Sequence, residues 1–194
     1  KNYNQDELMQ ETSLLRAFYR SLNTVAVEIG NELGISNVIR HAQKLGVSSK
    51  LKEEPGLFLG SSDVTMKDMA QLYSTIAGNG NFIPMNPIIK ITTRKGKVLY
   101  EREKLELRKT QALAPEISSL MTDGLRNVFR YGTAASQRHL AKSHGGKTGT
   151  SNDSQDNWFC GFSPDMVSIV LAGVDDNSPM RRPASGASVA LPLW

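Results

Sequence analysis

The sequence is poor in the residues that build covalent or metal frameworks. Its 194 residues hold one cysteine, Cys160, which excludes an internal disulfide and a cysteine-based zinc site. Three histidines, His41, His139 and His144, are scattered without metal-ligand spacing, so the chemistry is expected to be metal-free and to need no cofactor. No apolar run approaches the roughly 20 residues of a membrane span. The opening Lys1-Asn2-Tyr3-Asn4-Gln5-Asp6 lacks the pattern of a signal peptide, and its polar lead straight into a helical pattern reads as an excised piece of a longer protein. Charge of one sign is scarce as well. With 23 basic against 19 acidic side chains the formal charge is +4, too thin a margin for a nucleic-acid binder, and no nucleic acid is expected as a partner.

What remains is an ordinary globular composition, 39% apolar and 22% charged. A single complete domain of this length would bury roughly 70% of its unfolded surface, enough for a real core. Apolar residues at Leu8, Leu15, Phe18 and Leu22 place one helical face between Asp6 and Arg20, ending near Ser21. Thr24 starts a second periodic stretch closed by Gly34, and Ser36 can cap a third closed by Gly46. Residues 47 to 63 read as a loop. Thr65 then opens a helix with Met69, Leu72, Tyr73 and Ile76 inward, its hydroxyl placed to accept from the amide of Asp68, and Gly78-Asn79-Gly80 ends it.

Ile88 to Ile91 and Lys97 to Tyr100, around Arg94-Lys95-Gly96, read as a hairpin. A charged connector follows to Pro115, which suits the first turn of a helix with Ile117, Leu120, Met121, Leu125, Val128 and Phe129 inward and Gly132 as its end. The last third is β-rich, with runs at Trp158 to Phe162 and Val167 to Val174 split by Ser163-Pro164-Asp165. Helices first and strands later predict an α+β domain with an antiparallel sheet flanked by helices, rather than alternating βαβ units.

The chemistry-bearing segment is Gly145-Gly146-Lys147-Thr148-Gly149-Thr150-Ser151. One reading is a surface turn. A phosphate-cradling loop is a second, but its required first glycine is Ala141, and a β-rich run follows where such a loop must open a helix. The third reading joins the segment to Ser21-Leu22-Asn23, whose plain alternative is helix capping. Joined in this way, the sequence resembles the transpeptidase domain of penicillin-binding proteins, serine acyltransferases with a Ser-x-x-Lys, a Ser-x-Asn and a Lys-Thr-Gly in that order.

The context is similar too: Gly60-Ser61-Ser62-Asp63-Val64-Thr65, Ala77-Gly78-Asn79-Gly80 and Tyr131-Gly132-Thr133-Ala134 lie between the two motifs. Thr150-Ser151-Asn152 with Trp158-Phe159 and Gly161-Phe162 is closest to the bifunctional, class A members. The resemblance covers nearly the whole chain, residues 1–194, as the C-terminal part of one transpeptidase domain of penicillin-binding-protein and β-lactamase-like fold.

The resemblance implies the following roles. Lys147, Thr148 and Thr150 supply a cation and hydroxyl donors for the terminal carboxylate of a D-alanyl-D-alanine stem peptide. Gly149 lets the substrate backbone approach. The N–H of Thr150 is one oxyanion donor. Ser21 carries a proton toward the leaving-group nitrogen, and Asn23 holds the substrate amide and orients the nucleophile's lysine. Lys147 and Asn23 are then expected on opposite walls of one groove. The implied activity is peptidoglycan cross-linking, with stem peptides as substrates and β-lactams as covalent inhibitors of the complete domain, outside the bacterial cytoplasmic membrane. A D,D-carboxypeptidase, or a non-catalytic β-lactam sensor or scaffold, shares the same motifs.

One Ser-x-x-Lys occurs, Ser49-Lys50-Leu51-Lys52, and it reads as a decoy. A nucleophile of this kind needs its lysine one helical turn on and desolvated. Here Glu53-Glu54-Pro55-Gly56 ends any helix at once, and the motif follows Ser-x-Asn instead of preceding it. The nucleophile is therefore expected in an upstream segment, before Lys1. His144 invites a general-base role but reads as a solvated flank, Cys160 as a buried apolar residue, and Arg181-Arg182 as a solvated loop.

Overall fold

The computed structural model describes residues 11–102, 109–180 and 184–194. The Asp6 start of the first helix, most of the charged connector and Arg181-Arg182 lie outside the described residues. Helix α1 (Leu14–Arg20) begins where the Ser13 hydroxyl accepts from the Arg16 amide, so among the described residues the helix starts later than the apolar spacing suggests. Helices α2 (Asn23–Leu33) and α3 (Ile35–Lys44) follow. Ser36 is not the cap of α3. Gly34, at φ 81°, closes α2 and opens α3 without a side-chain cap, a sharp reversal that glycine's freedom at positive φ permits.

Within the expected 47–63 loop, Pro55–Leu59 forms a 3-10 turn. Helix α4 (Met66–Ala77) opens on a complete capping box, with the Asp68 amide donating to Thr65 Oγ1 at 3.1 Å and the Thr65 amide donating to Asp68 Oδ2 at 3.0 Å. Asp68 does more than cap. It is 1% exposed and also accepts from the Ser48 amide, the Ser48 hydroxyl and the Ser49 hydroxyl at 2.7, 2.8 and 2.6 Å. These bonds hold its pKa far below the usual carboxylate range against the opposing effect of burial. The 47–49 segment is thereby pinned to the start of α4.

Strands β1 (Asn81–Phe82), β2 (Lys90–Thr92), β3 (Val98–Glu101) and β4 (Thr110–Gln111) form two small antiparallel pairs, β1 with β4 and β2 with β3. The second pair is the expected hairpin, with Gly96 at φ 82° in its turn. Helix α5 (Pro115–Tyr131) buries Leu125, Val128 and Phe129 as expected. Ile117 and Leu120, expected inward, are 46% and 69% exposed. The Ser118 hydroxyl donates to the carbonyl of Ile76 at the end of α4, so a polar anchor sets the first turns of α5 and rotates the two apolar residues outward.

The main sheet is antiparallel, β5 (Gly145–Thr150), β6 (Asp156–Phe162) and β7 (Val167–Gly173), in the order β5-β6-β7. Alternation along β6 divides the core. Phe159 packs with Val128, Phe129, Ala134, Ala141, Ala190 and Leu191, while Cys160 and Phe162 pack with Tyr73, Ile76 and Leu125. The C-terminal residues, a π turn at Gly186–Ala190 and the short helix α6 (Leu191–Leu193), belong to the Phe159 side, and α4 to the other. This is the α+β arrangement expected from the sequence. Cys160 is a buried packing residue, its thiol pushed up to about 12 by burial.

The glycines entering β5 have a packing reason. A Cβ on Gly146 would stand 2.7 Å from the Phe159 ring and 2.8 Å from the Cys160 carbonyl, and one on Gly145 would meet the Phe162 ring. The aromatic residues of β6 lie across the backbone of β5 at these points. That seats the strand close against the core.

Asp68 sets a stability test. Because its pKa is depressed in the fold, its contribution is present above the ordinary carboxylate pKa of about 4 and is lost as pH falls below it. Asp68→Asn is expected to destabilise the chain by about 1–3 kcal/mol at pH 7, and the difference from the unmodified chain is expected to narrow as urea melts are repeated from pH 5 toward pH 2.

Candidate active site

Ser21 ends α1 in the left-handed conformation, φ 60° and ψ 48°. A non-glycine residue there is uncommon and adopts it only where its surroundings enforce it. The next residue supplies the enforcement: Leu22 is buried and its amide donates to the Ala17 carbonyl at 2.9 Å, so the junction is clamped and α2 starts at once with Asn23. Neither Ser21 nor Asn23 is an N-cap; that position is taken by Leu22, without a side-chain bond.

Instead, Ser21 is turned toward the strand. Lys147 Nζ donates to Ser21 Oγ at 2.8 Å across 126 positions of sequence. The same ammonium donates to the Thr148 carbonyl at 3.3 Å. Among the described residues no carboxylate stands within ion-pair distance of it. Lys147 is half-buried, and burial without a counter-charge lowers its pKa to about 8. A lysine with that pKa gives up its proton more readily than an ordinary one, and the Ser21 hydroxyl is in hydrogen-bond contact with it.

The other strand residues are also engaged. Gly146-Lys147-Thr148 continues as strand through Thr150, which removes the phosphate-loop reading. Thr148 Oγ1 lies 2.6 Å from Thr133 Oγ1. Thr150 is exposed, and its hydroxyl accepts from the Gly186 amide at 2.9 Å, which leaves its own hydrogen able to donate outward. The Cβ position of Gly149 is 3.2 Å from Trp158 Cβ, a tight fit, and a Cβ on Gly186 would collide with the Gly149 carbonyl, so internal packing demands glycine at position 186.

Thr133 and Gly186 are contacts of this strand to which the sequence reading attached no role. Thr133 stands in the Tyr131-Gly132-Thr133-Ala134 run, whereas nothing in the residues around Gly186 marks it.

The remaining candidates fall away from this cluster. The Ser49 hydroxyl is committed to Asp68, and Lys52 forms an exposed pair with Asp63 at 3.6 Å, so Ser49 and Lys52 lack the desolvated geometry of a nucleophile and its base. His144 Nδ1 sits 2.9 Å from the Ser143 hydroxyl, and its ring lies edge-on to Trp194 at a centroid distance of 5.8 Å. With Gln137, Leu140, Ser163, Met166 and Trp194 it borders a cavity of about 260 Å³ that none of Ser21, Asn23, Lys147, Thr148, Gly149 or Thr150 lines. Among the described residues no cluster of His, Cys, Asp and Glu could hold a metal ion.

Lys147 opposes folding when charged. Its folded pKa lies below the ordinary value near 10.5, so the folded state releases the proton first, and stability is expected to rise with pH between about 8 and 10.5. Lys147→Met is expected to remove this pH dependence and to raise the melting temperature at pH 7, which thermal melts of both chains at pH 7, 9 and 10.5 will show.

Comparison with known proteins places the chain in a family. The chain is 27% identical over 214 residues to penicillin-binding protein 1A of Rickettsia typhi, covering all of this chain and 27% of that protein. It is 32% identical over 186 residues to penicillin-binding protein 1A of Neisseria meningitidis serogroup A, covering 94% and 23%. The chain thus spans about a quarter of the length of these relatives.

Among solved structures, penicillin-binding protein 1A of Haemophilus influenzae superposes with a TM-score of 0.76 at 23% identity, covering 91% of this chain and 32% of that one. PonA1 of Mycobacterium tuberculosis, solved in complex with penicillin V, gives 0.78 at 21% identity over 94% and 54%; both show the shared fold. The model of the penicillin-binding protein transpeptidase domain matches residues 1–191, the stretch that carries Ser21, Asn23 and Lys147 alike, and the chain belongs to that family.

Proposed function

We propose that this chain forms one part of a transpeptidase active site that cross-links peptidoglycan, with Lys147 and Ser21 as its proton-handling pair. The observation that carries the reading is the 2.8 Å contact between a lysine of lowered pKa and a hydroxyl brought from the far end of the chain. Lys147, Thr148 and Thr150 receive the carboxylate of a D-alanyl-D-alanine stem peptide, through one cation and hydroxyl hydrogens. A serine in an upstream segment, its proton taken by the lysine of the same Ser-x-x-Lys motif, attacks the penultimate carbonyl, and the amide of Thr150 donates to the oxyanion that develops. Ser21 Oγ passes its proton to the departing nitrogen of the last D-alanine and is reprotonated from Lys147, and Asn23 holds the substrate amide beside them. An amine of a neighbouring stem peptide then takes the acyl group. The site works on the outer face of a bacterial cytoplasmic membrane, and β-lactams acylate the same upstream serine. The penicillin V complex of the similar M. tuberculosis protein supports β-lactam binding by this fold.

Incubated alone with a fluorescent penicillin, the chain is expected to form no covalent adduct. Co-expressed with the upstream segment, it is expected to regain labelling at a serine outside this numbering; an adduct on Ser49 would overturn the assignment. In the reconstituted domain Ser21→Ala is expected to slow acylation by about 10²–10⁴-fold, read as the rate of penicillin labelling, with melting temperature as the control for folding. An unchanged rate would remove Ser21 from the mechanism.

A further inference from the structure

The contact between Ser21 and Lys147 joins two elements 126 positions apart in sequence. Ser21 sits on a helix-to-helix junction and Lys147 on an edge strand, and a hydroxyl accepts well only over a narrow range near 2.8 Å. Some third element has to fix their separation. The turn after α5 touches both.

On the junction side, a Cβ on Gly132 would collide with the carbonyl of Tyr19, two residues before Ser21, and would stand 2.9 Å from Val128 Cα. The Thr133 amide donates to that same Tyr19 carbonyl at 3.3 Å. The Tyr131 and Tyr19 rings pack at a centroid distance of 5.9 Å. On the strand side, Thr133 Oγ1 meets Thr148 Oγ1 at 2.6 Å, one residue after Lys147. Ala134, fully buried in the core, anchors the turn from beneath. Each of the four residues therefore has its own contact, and one residue, Thr133, bridges the end of α1 and the strand, with its backbone amide on one side and its hydroxyl on the other.

We infer that Thr133 is a positioning residue which, seated by Gly132 against Tyr19, sets the distance between the Ser21 hydroxyl and the Lys147 ammonium and orients the Thr148 hydroxyl beside them. The inference rests on the acyl-transfer reading for its purpose, though not for its geometry. When Thr133 Oγ1 is the donor, the hydrogen of Thr148 is left to point toward a substrate carboxylate. Serine can make the same bond and valine, of nearly the same shape, cannot.

The test follows the Lys147 side chain directly, by ¹⁵N NMR titration of the lysine-labelled chain, in Thr133→Val and Thr133→Ser. With Thr133→Val, Lys147 is expected to lose its fixed partner, regain water and titrate about one pH unit above the unmodified chain, while Thr133→Ser restores the original midpoint. Thr148→Val, which removes the bond from the strand side, is expected to give the same displacement and keeps the test available should Thr133→Val fail to fold. A folded valine variant with an unchanged Lys147 midpoint, whatever its melting temperature, would make Thr133 merely structural and overturn the inference.

Penicillin labelling of the reconstituted domain is measured in parallel. Thr133→Val is expected to slow it at least about 10-fold and to displace its pH profile, with Thr133→Ser near the unmodified rate. If the Lys147 midpoint moves but labelling does not change in Ser21→Ala, the positioning role stands and the proton-carrier reading fails. If Ser21→Ala is slow but the midpoint stays in Thr133→Val, the reverse holds.

Discussion

The contact on which the rest of the molecule's chemistry depends is an ammonium held against a hydroxyl, with no carboxylate beside it among the described residues. A lysine beside an aspartate would be a stable cation and chemically inert at neutral pH. Half-buried and, among the described residues, bonded to oxygens of Ser21 and Thr148, Lys147 is instead a cation whose pKa burial lowers to about 8, close enough to neutral pH for a fraction to be free base. That state is unfavourable for folding, as is the left-handed backbone at Ser21. The two features occur at the same place, and the surrounding packing supports both: Leu22 clamps the junction, and the core beneath β5 is filled by Phe129 and Phe159 at a ring-centroid distance of 5.7 Å.

Glycine does much of the positioning. Gly145 and Gly146 let the rings of Phe162 and Phe159 lie over the strand, Gly186 lets the C-terminal segment rest on Gly149, and Gly132 admits the end of α1. In each case the missing side chain is replaced by another part of the protein. The glycine-rich character of the strand, which suggests an open loop in sequence, marks a close-packed neighbourhood. The mutual burial of α4, β6 and the C-terminal residues on the two faces of the sheet continues that packing outward.

Features set by adjacent residues and features set by distant ones differ in how far the sequence carries them. The capping box at Thr65 and Asp68, the hairpin turn at Gly96, the strand pair around Ser163-Pro164-Asp165 and the end of α5 at Gly132 were legible because each is set by a few adjacent residues. The inward assignment of Ile117 and Leu120 failed because Ser118, bonded to the Ile76 carbonyl 42 positions away, determines the rotation of the helix. The Ser36 cap failed because Gly34 serves two helices at once. The rejection of Ser49-x-x-Lys52 rested on the helix-ending residues after it, and the structure adds a reason that the local sequence does not contain, the commitment of Ser49 to Asp68.

By itself the sequence determined which residue types were available for acyl-transfer chemistry and in what order, since motif identity and helix or strand period are properties of neighbours along the chain. It could not determine that Ser21 bends into the left-handed region, that Lys147 is partly desolvated, or that Thr133 links the two. Those are consequences of separation in space: a hydrogen bond between positions 126 apart exists only after the core has closed, and the desolvation that shifts a lysine depends on what surrounds it in three dimensions.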